Sequence, residues 1–179
     1  MPSVSATTAT TSSGVAPTTG SSSVDYRYLL LRPEDMVLPN SGYSVMREAE
    51  MNPGGVAGAE EMIISDDATN AVGITIVLLS DASAAAGQLP IAIANLSTVT
   101  ATVPPLPAPL GDGAQTLSGT TPDGTKSAVA LMFRQGRAIA RIDFYSLLGQ
   151  PTSMSAVLDV GQKQNVALRV GLGSIGPPS

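Results

Sequence analysis

The 179-residue sequence contains no cysteine, no histidine and no tryptophan. Without cysteine there is no disulfide framework, no zinc–thiolate site and no thiol nucleophile. Without histidine there is no Ser-His-Asp triad and no imidazole metal ligand, and the side chain most used for proton transfer near neutral pH is missing. Rings are scarce, four Tyr and two Phe, so the core must be built from Val, Ile, Leu, Ala and Met. No apolar run approaches the roughly 20 residues of a membrane-spanning helix. The longest, Ala71 to Leu79, has the length of a strand. Charge is missing from the first 24 residues, which hold thirteen Ser and Thr. Such a segment cannot bury enough apolar surface to offset its ordering entropy, so residues 1–24 are expected to form a disordered leash. The opening Met-Pro-Ser carries neither the basic nor the apolar region of a signal peptide. A Met set on a Ser/Thr tail leads us to expect an export signal and a lipid-carrying cysteine upstream of the residues given.

What is present supports one folded unit. Hydrophobic residues make up 43% of the chain, and residues 25–176 suffice for a single domain with a real core. Charge is unevenly spread. From Glu48 to Thr125 there are nine acids and no base, whereas from Lys126 onward six bases face only Asp143 and Asp159. Two halves of opposite sign can compensate each other when packed together. The net charge of −5 argues against nucleic acid as a partner.

The patterning alternates strands and helices. Strands are expected over Gly42–Glu50, Glu60–Asp66 and Ala71–Ser80, then a helix from Asp81 or Ser83 to about Thr98, broken near Gly87 and Pro90. Pro104 to Pro109 is an extended, proline-rich connector. Strands follow at Gln115–Thr120, Lys126–Phe133 and Ala138–Tyr145. The first two of these are joined by Thr121-Pro-Asp-Gly124, which has good turn chemistry. A last helix opens at Gln150-Pro-Thr-Ser153, runs to Val170 and stops at Gly171. The order is strands then helix, twice. Gly58-Ala59 and Gly113-Ala114 lie 55 residues apart, so the chain can be read as a duplicated βββα unit. The expected fold is α+β: an antiparallel, twisted sheet of about five to seven strands with two helices on one face.

That architecture leaves the second sheet face to be explained. If Val72, Ile74, Ile76 and Leu78 meet the helices, Gly73, Thr75, Val77 and Leu79 face the other way. Likewise Val129, Leu131 and Phe133 oppose Ala128, Ala130 and Met132. Neither set is polar, so the second face needs a cover. The segment Tyr26–Leu31, a second subunit or an apolar ligand could supply it, self-coverage being the commonest solution. A ligand would take Val77, Leu79, Ala130 and Met132 as its site, with Arg137 or Arg141 at the rim.

Other motifs carry less. Gly171-Leu-Gly173-Ser-Ile-Gly176 matches the dinucleotide fingerprint, but a helix precedes it and the chain ends three residues later. Glu60 and Glu61 would point to opposite faces of a strand and form no acid pair. Asp66, Asp67 and Asn70 offer oxygens to a weak calcium site but suit a solvated turn better. Arg134, Arg137 and Arg141 form a small basic patch that could grip a phosphate or carboxylate. No cofactor or metal is expected, and no spacing supports a catalytic group.

The plan resembles the secreted lipoproteins and periplasmic sensor-type domains of mycobacteria and related actinobacteria. The leash, Leu29-Leu-Leu-Arg-Pro-Glu-Asp35, Gly136-Arg-Ala-Ile-Ala-Arg-Ile-Asp-Phe144 and Val160-Gly-Gln-Lys-Gln-Asn-Val-Ala-Leu168 carry the resemblance. It implies a non-catalytic domain of the cell envelope, tethered by a lipidated N-terminus, that binds an apolar or amphiphilic ligand such as a cell-wall lipid. The alternative is a structural or sensory protein-interaction domain without a small ligand, with an envelope protein or a second copy as partner. The lipid-bearing Cys of such proteins is absent from this sequence.

Overall fold

The computed structural model describes residues 24–36 and 42–174. The expected leash therefore lies almost wholly outside the described residues, as does Gly176. Three strands come first: β1 (Tyr43–Met51), β2 (Gly58–Ser65) and β3 (Ala71–Leu78). Helix α1 (Ala82–Ala94) follows, then two-residue strands β4 (Thr100–Ala101) and β5 (Leu106–Pro107). Strands β6 (Asp112–Thr120), β7 (Lys126–Gln135) and β8 (Ala138–Leu147) lead into helix α2 (Met154–Ser174). The class is the expected one. Six long strands form an antiparallel sheet in the order β1-β2-β3-β8-β7-β6, and β4 and β5 bring it to eight by pairing with β6.

The order βββα does occur twice, with β3 and β8, the third strand of each set, paired at the centre. The Gly-Ala pairs do not mark equivalent places in the two sets. Gly58 opens β2, the second strand of its set, whereas Gly113 lies in β6, the first strand of the other.

One expectation needs correcting: the two helices lie on opposite faces of the sheet. On the first face, Val72, Ile74, Ile76, Leu131, Phe133, Ile142 and Phe144 pack against Val157, Val160 and Leu168 of α2. On the second, Ala128, Ala130, Met132 and Ile139 pack against Ala85, Leu89 and Ile93 of α1. The cause is visible in the strands themselves. Residues 127–133 of β7 are buried without a break, and a strand buried on both faces needs a layer on each.

The first face is closed by large side chains and by the chain's own N-terminal segment. Leu29, Leu30 and Leu31 enter the α2 core. Gln164, fully buried in α2, fixes them: its Nε2 donates to the Leu29 carbonyl at 2.7 Å and its Oε1 accepts from the Leu31 amide at 2.9 Å. Two backbone polar groups thus find partners inside the core. Gly161 and Gly171 let α2 come close. A Cβ at Gly161 would collide with Leu131 and one at Gly171 with Leu29. Gly171 is accordingly a packing position inside α2 and not its stop.

The second face is covered differently. Asp81 caps α1, accepting from the Ala84 amide at 2.8 Å, which satisfies one of the free amides of the first turn. The helix then runs without interruption through Gly87 and Pro90, where a break was expected. Its inward residues Ala85, Leu89 and Ile93 are spaced at four, so the helix repeat overrides the proline penalty. This roof reaches β7 and β8. It leaves the outer strands β1 and β2 bare on that face, with Met46 63% exposed.

Candidate functional site

Between α1 and the second sheet face lies a groove of about 290 Å³. Its floor comes from Thr75 and Val77 of β3, Met132 of β7, and Ile139 and Arg141 of β8. Its wall is the C-terminal half of α1 and the residues after it: Gln88, Ala92, Asn95, Leu96 and Ser97. The volume is at the small end of ligand pockets, and an apolar floor with a few convergent polar groups is their usual make-up. Two wider depressions, of about 370 and 440 Å³, are shallower and lie on α2 and over β1–β2. A more polar cleft of about 220 Å³ sits at the start of α2.

Three of the six residues expected to form a site line this groove: Val77, Met132 and Arg141. Ala130 is on the same face but fully buried in the α1 cluster. Leu79 packs beside that cluster beyond the end of β3. Arg137 sits at the β7–β8 turn, with Nη1 on the Leu79 carbonyl at 3.3 Å. The expected basic patch is therefore dispersed. Arg134 pairs with Asp112 at 3.2 Å, and Arg141 turns inward.

Arg141 carries the electrostatics of the groove. Its Nε lies 2.9 Å from Oδ2 of Asp143. This is an ion pair in which the N–H is not aimed at the oxygen. Its Nη2 donates to Thr75 Oγ1 at 3.2 Å. The Asp143 side chain is 4% exposed, and its Oδ1 accepts from Thr98 Oγ1 at 2.8 Å. Burial pushes the Asp143 carboxyl above its ordinary range, while Arg141 and Thr98 pull it back. Burial, helped by the charge of Asp143, pushes the Tyr145 phenol up to about 12. Sequence reasoning missed Asp143, Thr75, Gln88, Asn95 and Ser97. For Asp143 a signal existed: residues two apart on a strand share a face, so Arg141 and Asp143 must be neighbours.

The other tempting motifs resolve locally. Asp67 Oδ1 accepts from Ser65 Oγ, Thr69 N and Thr69 Oγ1, closing the β2–β3 turn on itself. Among the described residues no group of three acidic side chains could hold a metal ion. No described helix is long and apolar enough to cross a membrane.

No protein-family model matches the sequence, and no curated protein does. Among solved structures the chain is similar to the extracellular domain of PknH from Mycobacterium tuberculosis, with a TM-score of 0.54 at 11% identity. The match covers 80% of this chain and 97% of that domain. At this identity the likeness is one of fold.

Proposed function

We propose that the protein is a non-catalytic, extracytoplasmic binding module that takes a small apolar or amphiphilic ligand into the groove beneath α1. The observation that carries this reading is the groove itself. Val77, Ala92, Leu96, Met132 and Ile139 offer apolar surface, while Thr75, Asn95 and Arg141 supply polar contacts within the same cleft. Burying an alkyl chain there gains roughly 0.8 kcal/mol per methylene, and the flexible Met132 suits a floor that must adapt to its occupant. The extracytoplasmic setting is supported by the fold of the PknH extracellular domain and by the resemblance to envelope proteins in the sequence. A lipidated anchor upstream of the residues given belongs to the same proposal.

The test is a titration with a short-chain amphiphile followed by amide chemical shifts. Shifts should centre on Val77, Ala92, Met132 and Ile139, and Ala92→Phe, which fills the groove, should abolish them in a folded protein. Shifts absent or confined elsewhere would remove the reading.

A second reading has its own observation. Met46 of the edge strand β1 is 63% exposed, and Met46, Arg47 and Met62 surround the open depression there. A protein-interaction domain would use this bare area. Light scattering over a concentration series, with Met46→Lys as control, distinguishes self-association through β1 from a monomer.

A further inference from the structure

Among the described residues the groove's lining holds one charged side chain, Arg141, and Asp143 balances its charge. Its Nε faces Asp143 Oδ2 at 2.9 Å and its Nη2 is bound to Thr75 Oγ1. Asp143 does not line the groove. It sits behind Arg141, held by Thr98, with a side chain only 4% exposed. Of the nearby arginines, neither is in the groove's described lining: Arg134 pairs with Asp112, and Arg137 holds the Leu79 carbonyl at the β7–β8 turn. The remaining polar groups are amides and hydroxyls: Thr75, Gln88, Asn95 and Ser97. Asn95 uses its Nδ2 on the Ile91 carbonyl at 3.0 Å, which leaves its Oδ1 to accept.

Resting on the groove reading above, we infer that the ligand's polar end is an uncharged hydroxyl or amide group, and that Asp143 decides this by neutralising Arg141 from behind. An anion entering the groove would lose its hydration against a pair with no net charge, and a desolvated ion is costly without a free partner. To bind well it would have to pull Arg141 away from Asp143, leaving a buried carboxylate alone. A cation would pay the same desolvation cost and finds no carboxylate in the described lining. A hydroxyl or amide can both donate and accept, which matches side chains that do the same.

Three probes with ten-carbon chains test this, each used below its micelle concentration: monodecanoylglycerol, decanoate and decyltrimethylammonium. At neutral pH the glycerol ester should bind the wild-type protein about tenfold or more tighter than either ion, given that charge complementarity sets specificity. Asp143→Asn frees the arginine, so decanoate should tighten by about tenfold while the ester changes little. Decanoate equal to or tighter than the ester on the wild-type protein overturns the inference and leaves the groove reading standing. Failure of all three probes to bind overturns both. A folded Asp143→Asn that gains nothing for decanoate removes the role given to Asp143. The wild-type comparison decides the head group even if a variant fails to fold.

Discussion

The two faces of the sheet are covered by layers of different quality. On the first, large side chains interlock with α2, Gly161 and Gly171 bring the helix close, and Gln164 locks Leu29–Leu31 into the core. On the second, α1 turns Ala85, Leu89 and Ile93 inward, carries Gly87 and Pro90 within its length, and roofs a groove whose floor includes one partner of a buried ion pair. A glycine and a proline inside a helix both cost stability, and a buried ion pair contributes little compared with apolar packing. The difference teaches where the fold invests in rigidity and where it leaves room. Face one holds the domain together, whereas face two is loose enough to admit something.

If that contrast is right, the largest effect belongs to Gln164. Gln164→Ala leaves the Leu31 amide and Leu29 carbonyl without partners in the core and opens a cavity beside them. The expected loss is about 3–5 kcal/mol, measured by urea denaturation. A loss under about 1 kcal/mol would mean that the 29–31 segment is not locked, and the two faces would be less different than they look.

Two glycine substitutions sharpen the same comparison with opposite signs. Gly161→Ala drives a methyl into Leu131 and Leu110 and should destabilise by about 1–3 kcal/mol. Gly87→Ala meets nothing within 4 Å and removes the excess freedom of an unfolded glycine. It should stabilise by about 0.5–1 kcal/mol. Thermal melts of the two variants side by side should move apart, and movement in the same direction would break the argument.

The sequence showed the strands better than the layers. β3 and β8 were legible as apolar runs of strand length, and the β6–β7 turn by its residue types: Thr121–Gly124 closes with a 2.8 Å bond from the Gly124 amide to the Thr121 carbonyl. The side each helix takes was not legible, because β3 and β7 are apolar on both faces and α1 is too rich in alanine to point. Gly171 read as a helix end because its packing against Leu29 is a contact between residues far apart in sequence. β4 and β5 are two-residue pairings made by the partner strand β6, with no pattern of their own. Of the site, Val77, Met132 and Arg141 followed from strand alternation. Gln88, Asn95 and Ser97 could not follow, since they reach the groove only once α1 crosses to that face.

The smallest effect is one of pH, and it isolates the buried carboxyl of the second face. Burial raises the Asp143 pKa in the folded chain above its ordinary value of 3.8. The folded state therefore holds its proton to higher pH than the unfolded state does. By linkage, the contribution of Asp143 to stability is full below about 3.8 and falls as pH rises through the raised folded value. Asp25, Asp81 and Asp123 run the other way, since hydrogen bonds lower their pKa values, so the wild-type profile alone mixes opposite slopes. Asp143→Asn separates them, because it changes one carboxyl and leaves the others in place. Tyr145, whose phenol burial pushes up to about 12, stays neutral across the acid range. Measured by urea denaturation from pH 3.5 to 7, the stability of Asp143→Asn relative to wild type should improve steadily with pH. Parallel profiles would mean that Arg141 and Thr98 fully offset the burial. A relative stability that worsens with pH would mean that the pair is a net stabilising contact, and the looseness assigned to the second face would then have to rest on α1 alone.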